Sequence, residues 1–185
     1  MARIPLFPME QMNPEQRRVY DAVANGPRGK VEGPIRAALH RPDLADKWQQ
    51  LGAALRYGTS LSPRLSELAI LLTARAWDSQ FEWYAHQPHA LNAGLAAEVI
   101  EAIRTGSTPT FAKDDEQAVH DYVTELQRTH QVSETTYQRA LSLFDAVGVV
   151  ELTALTGYYS MVAMTLNAHE IPLPEGVELP FSTRN

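Results

Sequence analysis

Apolar residues recur at steps of three and four along most of the chain, in runs separated by short proline- and glycine-rich breaks, which is the signature of amphipathic helices. Asn13, Pro14 and Glu15 form a start signal: an N-cap, a proline at the first helical position and an acid in the first turn. The helix they open is predicted to run to about Asn25, where Gly26 and Pro27 stop it. Pro34 opens a short helix ending near His40. Pro42 opens one reaching about Tyr57, with Leu44, Trp48, Leu51, Ala54 and Leu55 on one side and Gly58 past its end. Ser62 as cap and Pro63 behind it begin a helix carrying Leu65, Leu68, Ala69, Leu72 and Ala76. Ile70 and Leu71 make that helix apolar nearly all round, so it is expected at the centre of the fold.

Asp78 or Ser79 is expected to cap the next segment, which carries Glu82, Trp83 and His86, and Pro88 is expected to kink or end it. Further helices are predicted over 96–104, from Asp114 with Val119, Tyr122, Val123 and Leu126 facing inward, from Ser133 to near Phe144, and over about 148–168. No alternating strand pattern bounded by hairpin turns occurs. The fold class is therefore all-α: a multi-helix bundle forming a single domain over 1–185, with a core at about 40–170. An N-terminal arm and helix cover 1–30, and an extended tail covers 171–185. Such arms either wrap a neighbouring subunit or stay loose. The apolar stretch 147–166 is nearly long enough to span a bilayer, but Glu151, its threonines, Gly157 and two tyrosines favour a buried core helix.

Composition narrows the chemistry. At 185 residues, 44% hydrophobic and 21% charged, the chain has the make-up of one globular domain. A net charge of -6 and the lack of any Lys/Arg run argue against a nucleic-acid partner. Cysteine is absent, which removes disulfides, thiolate nucleophiles and Zn–Cys clusters. The stretch MARIPLFPME lacks a long apolar core, so no secretory signal is read and a cytoplasmic location without membrane insertion is expected. The glycines of GPRGKVEGP lack the spacing of a phosphate loop.

Glu82 and His86 lie one helical turn apart and share a face. A carboxylate beside an imidazole raises the imidazole pKa and fixes its tautomer, so the pair can move a proton; it can equally be a plain surface contact. Glu67 lies in the most apolar helix, where a charge needs a partner or a purpose, and Arg64 three residues earlier is the obvious partner. His89 adds a second imidazole beyond His86, but the spacing is not that of a metal motif and metal binding is not favoured. His40, His120, His130 and His169 read as solvated. The pairs Trp83-Tyr84 and Tyr158-Tyr159 read as core or interface packing rather than a substrate cage.

From Glu67 to Gly94 the residues E-LAILLTARAWDSQF-EWYAH-QPHALNAGL resemble the carboxymuconolactone decarboxylase family, whose fold is shared with the AhpD alkylhydroperoxidases. The flanking stretches Ser62–Leu68, Ala93–Leu95 with Val99–Ile103, and Val150–Asn167 are similar to neighbouring helices of that family. The peroxidase branch carries a CxxC; the matching positions here are Ser79 and Glu82, with Glu67 and His86 retained, so a dithiol mechanism is chemically excluded.

The resemblance implies a cofactor-free, metal-free lyase or isomerase acting on a small carboxylated substrate, assembled as a homo-oligomer, a trimer or hexamer. In that reading His86 is the general acid/base and Glu82 orients it. Glu67 is a second proton carrier or the group that holds His86. Arg64 pairs with the substrate carboxylate, and Trp83, Tyr84 and Ser79 line the substrate site. The alternative is a non-catalytic helical oligomer of the same fold, peroxidase-like in lineage without the redox cysteines. A third reading, metal-assisted hydrolysis through His86, His89 and Glu82, predicts stoichiometric metal.

Overall fold

The computed structural model describes residues 2–182; Met1 of the expected arm and 183–185 of the expected tail lie outside the described residues. Eight α-helices follow in order: α1 (Pro14–Ala24), α2 (Pro34–Ala38), α3 (Pro42–Tyr57), α4 (Pro63–Ala76), α5 (Gln80–Asn92), α6 (Ala97–Thr105), α7 (Asp114–Thr129) and α8 (Glu134–Ala168). Among the described residues there is no strand. Four of the helices start with proline at the first position, where its missing N–H costs nothing. Asn13 and Gln16 close α1 with reciprocal cap bonds of 2.9 Å. Ser62 and Ser79 occupy N-cap positions as expected, but neither side chain makes a cap bond.

α4 is the central element. Ten consecutive residues, Leu65 to Ala74, are buried, and α5, α7 and α8 pack around it. That is the outcome expected for a helix apolar all round. α7 buries Val119, Tyr122 and Val123, as its period predicts.

Three local expectations differ. α3 buries Ala45, Trp48, Gly52 and Leu55, while Leu44 and Leu51 face outward, so its inner stripe is rotated from the one expected. The i, i+3, i+4 rule allowed either stripe, and α3's neighbours α1, α2 and α8 selected the one holding the small residues. α5 runs through Pro88 to Asn92. Pro88 and Tyr84 are both exposed, and Pro88 has no N–H to give the Tyr84 carbonyl one turn back. The two final helices are one run broken at Asp145, whose φ of 53° is left-handed. Its carboxylate accepts from the N–H groups of Val147 (2.7 Å) and Gly148 (3.2 Å), capping the second half.

Val19, Val23, Val31, Ile35, Leu39 and Ala45 form a small second core between α1, the following loop, α2 and α3. Both arms dock on their own chain. The Arg3 N–H donates to the His169 carbonyl at 2.8 Å, and Arg3 pairs with Glu170 at 2.5 Å. Phe181 is buried edge-on against Trp83, ring centroids 5.5 Å apart, and Gln80 bonds its backbone on both sides. α8 is long and apolar enough to cross a membrane by length and composition. Its inner side, including Leu152, Leu155, Tyr159 and Ala163, nevertheless forms part of the main core.

Candidate active site

Where α5 crosses α4, His86 and Glu67 meet. The Nδ1 of His86 lies 2.7 Å from Oε2 of Glu67, and both side chains are buried. The arginine Arg56, at the end of α3, reaches the other Glu67 oxygen at 3.8 Å. Burial pushes the Glu67 carboxyl up, but His86 and Arg56 outweigh it and hold the pKa below its usual value. Burial pushes the His86 imidazole below 6.5, against the pull of Glu67. The consistent state is a carboxylate accepting from a neutral imidazole through Nδ1–H, which leaves Nε2 as a lone-pair base.

Glu82 shares this helix face but makes no bond to His86. It is 2% exposed, and neither carboxyl oxygen has a hydrogen-bond partner. Burial, reinforced by the Glu67 charge, raises its pKa well above 4.5, so it is a neutral carboxylic acid. Of the two roles expected for Glu67, the geometry matches the one that holds His86, whereas Glu82, expected to orient the ring, does not contact it. An i, i+4 spacing places two side chains on one face, but only the neighbouring helix decides which carboxyl reaches the ring.

His86 and Glu82 border a cavity of about 120 Å³. Arg28 and Lys30, from the loop after α1, line it together with Arg56, Tyr158 and Tyr159. The Arg28 guanidinium donates to the Tyr158 hydroxyl at 3.2 Å. Its Nε is buried without a partner, and among the described residues Arg28 makes no ion pair. Tyr159 stands edge-on to His86, centroids 5.0 Å apart, and burial raises both phenols so that each stays protonated. Gly52 makes this possible: a Cβ there would fall on the Tyr158 hydroxyl and the Arg28 guanidinium.

The residues expected to bind substrate lie elsewhere. Arg64 pairs with Asp115 (2.7 Å) and with Glu116 in the acidic first turn of α7, not with Glu67, and does not line the cavity. Trp83 is fully buried on the far side of α5 against Phe181, and Tyr84 is exposed beside Phe81. Ser79 is fully buried with an unpartnered hydroxyl. Sequence reasoning missed Arg28 and Arg56 and set aside Tyr158 and Tyr159. The available signal was the tyrosine pair itself, since a phenol in an apolar helix needs a polar partner. Among the described residues no three His, Asp or Glu side chains are grouped to hold a metal ion.

Residues 42–125 match the model of the carboxymuconolactone decarboxylase family. The fold is similar to the alkylhydroperoxidase AhpD core of an uncharacterized peroxidase-related protein from Ralstonia eutropha JMP134. The TM-score is 0.76 and the identity 16%, over 94% of this chain and 93% of that one. An uncharacterized peroxidase-related protein from Silicibacter sp. TM1040 is similar at TM-score 0.75 and 13% identity, over 92% and 91% of the two chains. A protein of unknown function from Agrobacterium tumefaciens is similar at TM-score 0.68 and 16% identity, over 80% of this chain and 100% of that one. No curated protein matches the chain.

Proposed function

We propose that this chain, a carboxymuconolactone decarboxylase family member over residues 42–125 with an AhpD-like fold, is a cofactor-free proton-transfer enzyme. It acts as a carboxy-lyase or isomerase on a small carboxylated substrate. The observation that carries this is the opposed pair on one cavity: His86, neutral and held by Glu67, and Glu82, buried and protonated. A base and an acid with environments pushing their pKa values apart is the arrangement that enolisation needs. The cavity is close in size to the roughly 150 Å³ that holds a benzene ring, so the substrate is small. Arg28, a cavity-lining guanidinium whose buried Nε has no hydrogen-bond partner, is the group that holds a substrate carboxylate.

In isomerisation, Nε2 of His86 takes a proton from a carbon beside a carbonyl, and Glu82 gives its proton to the carbonyl oxygen. Reversal onto a different carbon returns both groups to their starting states. In decarboxylation, the electron pair of the breaking C–C bond flows into the carbonyl, Glu82 protonates the oxygen and CO₂ leaves. The enol then returns its hydroxyl proton to Glu82 while carbon takes a proton that His86 has drawn from solvent. Tyr158 and Tyr159 wall the reaction from water and remain un-ionised throughout.

The test is CO₂ release and solvent deuterium incorporation with a set of small carboxylated γ-lactones and β-keto acids, for wild type and His86→Asn. Turnover lost in the variant supports the reading; full turnover in the variant overturns it. The second reading, a non-catalytic oligomer, draws on the peroxidase-related names of the structural neighbours combined with the lack of any cysteine. It expects no turnover by either protein.

A further inference from the structure

Phe81, one residue before Glu82, lines the cavity and also a separate groove of about 260 Å³. Leu6 of the N-terminal arm, Val31 of the loop after α1, and Ile171, Pro172 and Leu173 of the tail give that groove an apolar lining. All five lie outside the stretch 42–125 that matches the family, so the groove is built by the arms. The arms are fixed by bonds of their own. Arg36 donates to the Leu6 carbonyl at 3.4 Å, and Gln80 donates to the Phe181 carbonyl at 2.7 Å.

Glu32 and Phe81 border both spaces, so cavity and groove share a wall. The Phe81 ring lies directly on the backbone of Gly33, where a Cβ would come within 2.7 Å of its Cε1. Gly33 also holds a φ of 52°, which L side chains rarely adopt. The loop thus keeps this position free of a side chain, and the half-buried ring fills it.

We infer that the groove is a second substrate subsite, reached past Phe81, which takes an apolar substituent of the molecule whose carboxylate Arg28 holds. This rests on the reading of the cavity proposed above and adds the shape of the substrate: a compact carboxylated head with an apolar tail. Polarity sets the orientation. Arg28 and Arg56 line the cavity, whereas the shared wall carries the Glu32 carboxylate, which repels an anion, and Arg36 in the groove is engaged by the Leu6 carbonyl. Size points the same way. At 260 Å³ the groove is smaller than the roughly 300–1,000 Å³ of a pocket for a separate ligand, so it suits a substituent. On the scale by which roughly 150 Å³ holds a benzene ring, it takes up to about ten carbons.

Calorimetry on the full-length protein with butanoate, hexanoate, octanoate and decanoate tests this. Each buried methylene is worth up to about a fourfold gain, so octanoate is expected to bind at least tenfold tighter than butanoate. Leu173→Glu, and Pro172→Glu at an exposed position where folding is not at stake, should each cut that ratio to near one. Leu44→Glu, on the outward side of α3, should leave it unchanged. Arg28→Gln should weaken both ligands by the same factor, and Phe81→Ala should speed octanoate association more than that of butanoate. Affinity that is absent or flat with chain length, a ratio indifferent to both glutamates in the groove, an Arg28→Gln variant that keeps octanoate, or equal association rates would each overturn the subsite. Binding is read without turnover, so the two readings fail separately. A chain-length series bound without decarboxylation of any β-keto acid overturns the reaction and supports the subsite; turnover without a chain-length preference does the reverse.

Discussion

His86 donates from Nδ1 to a Glu67 carboxylate 2.7 Å away on a different helix, while Glu82, its neighbour one turn back on the same helix, makes no bond to it. One carboxyl is thereby fixed as an anchor and the other left as an acid. The division of labour follows from contact, since Glu67 gains an imidazole and an arginine, whereas Glu82 is buried without a hydrogen-bond partner near a like charge.

Glu67→Gln should remove the anchor without removing the base. The amide no longer holds the ring as a carboxylate does, and turnover should fall by about 10²–10³-fold, within the range for general acid–base groups. KM should change by less than kcat, because Glu67 orients rather than binds. Steady-state kinetics on the substrate found by the lactone screen decides it; an unchanged kcat would sink the role.

Glu82 sets a pH signature in stability. The unfolded chain loses this proton near 4.5, while the folded chain keeps it to higher pH. Above 4.5 the folded state thus binds more protons and stability falls as pH rises, by up to about 1.4 kcal/mol per pH unit. His86 acts oppositely: its folded pKa lies below 6.5, so stability rises with pH between the folded value and 6.5. Glu82→Gln should abolish the fall and leave the rise. Urea titrations from pH 5 to 8 read both slopes, and a variant that declines like wild type contradicts a protonated Glu82.

Arg28 and Arg64 should separate binding from stability. Arg28→Gln should weaken carboxylate binding about 10–100-fold by calorimetry, the worth of a charge-assisted hydrogen bond, with little loss of stability. Arg64→Gln should leave binding intact and cost about 3 kcal/mol, since it strips Glu116, which is 5% exposed and, among the described residues, otherwise paired only with Lys113 at 3.8 Å. The reverse pattern would restore Arg64 as the substrate anchor.

Gly52→Ala tests the packing behind the cavity wall. Alanine favours a helix by about 1 kcal/mol, yet its Cβ would occupy the place of the Tyr158 hydroxyl and the Arg28 guanidinium. Overpacking of this kind costs about 1–3 kcal/mol, so the net effect is loss of stability together with weaker carboxylate binding. A more stable variant that binds as before would show that Tyr158 and Arg28 do not depend on this gap.

Much of the architecture was written locally in the chain. Proline at the first position of α1 to α4, the unbroken apolar run of α4 and the acids opening α7 each act over a turn or two, so helix positions and the centrality of α4 were legible. So were His86 and Glu67 as unusual residues, and the exclusion of thiol chemistry, which needs only the absence of cysteine.

Which partners meet was decided elsewhere. Glu67 reaches His86 across 19 residues, Arg64 reaches Asp115 across 51, and Arg28 reaches Tyr158 across 130. Periodicity fixes the face a side chain occupies but not the helix that faces it, so the choice between Glu82 and Glu67 as anchor, and between Arg64 and Arg28 at the cavity, belonged to the tertiary structure. Helix crossing brings one carboxyl to the ring and leaves the other buried without a partner, and that difference in surroundings, absent from the local sequence, is what makes one a carboxylate and the other an acid.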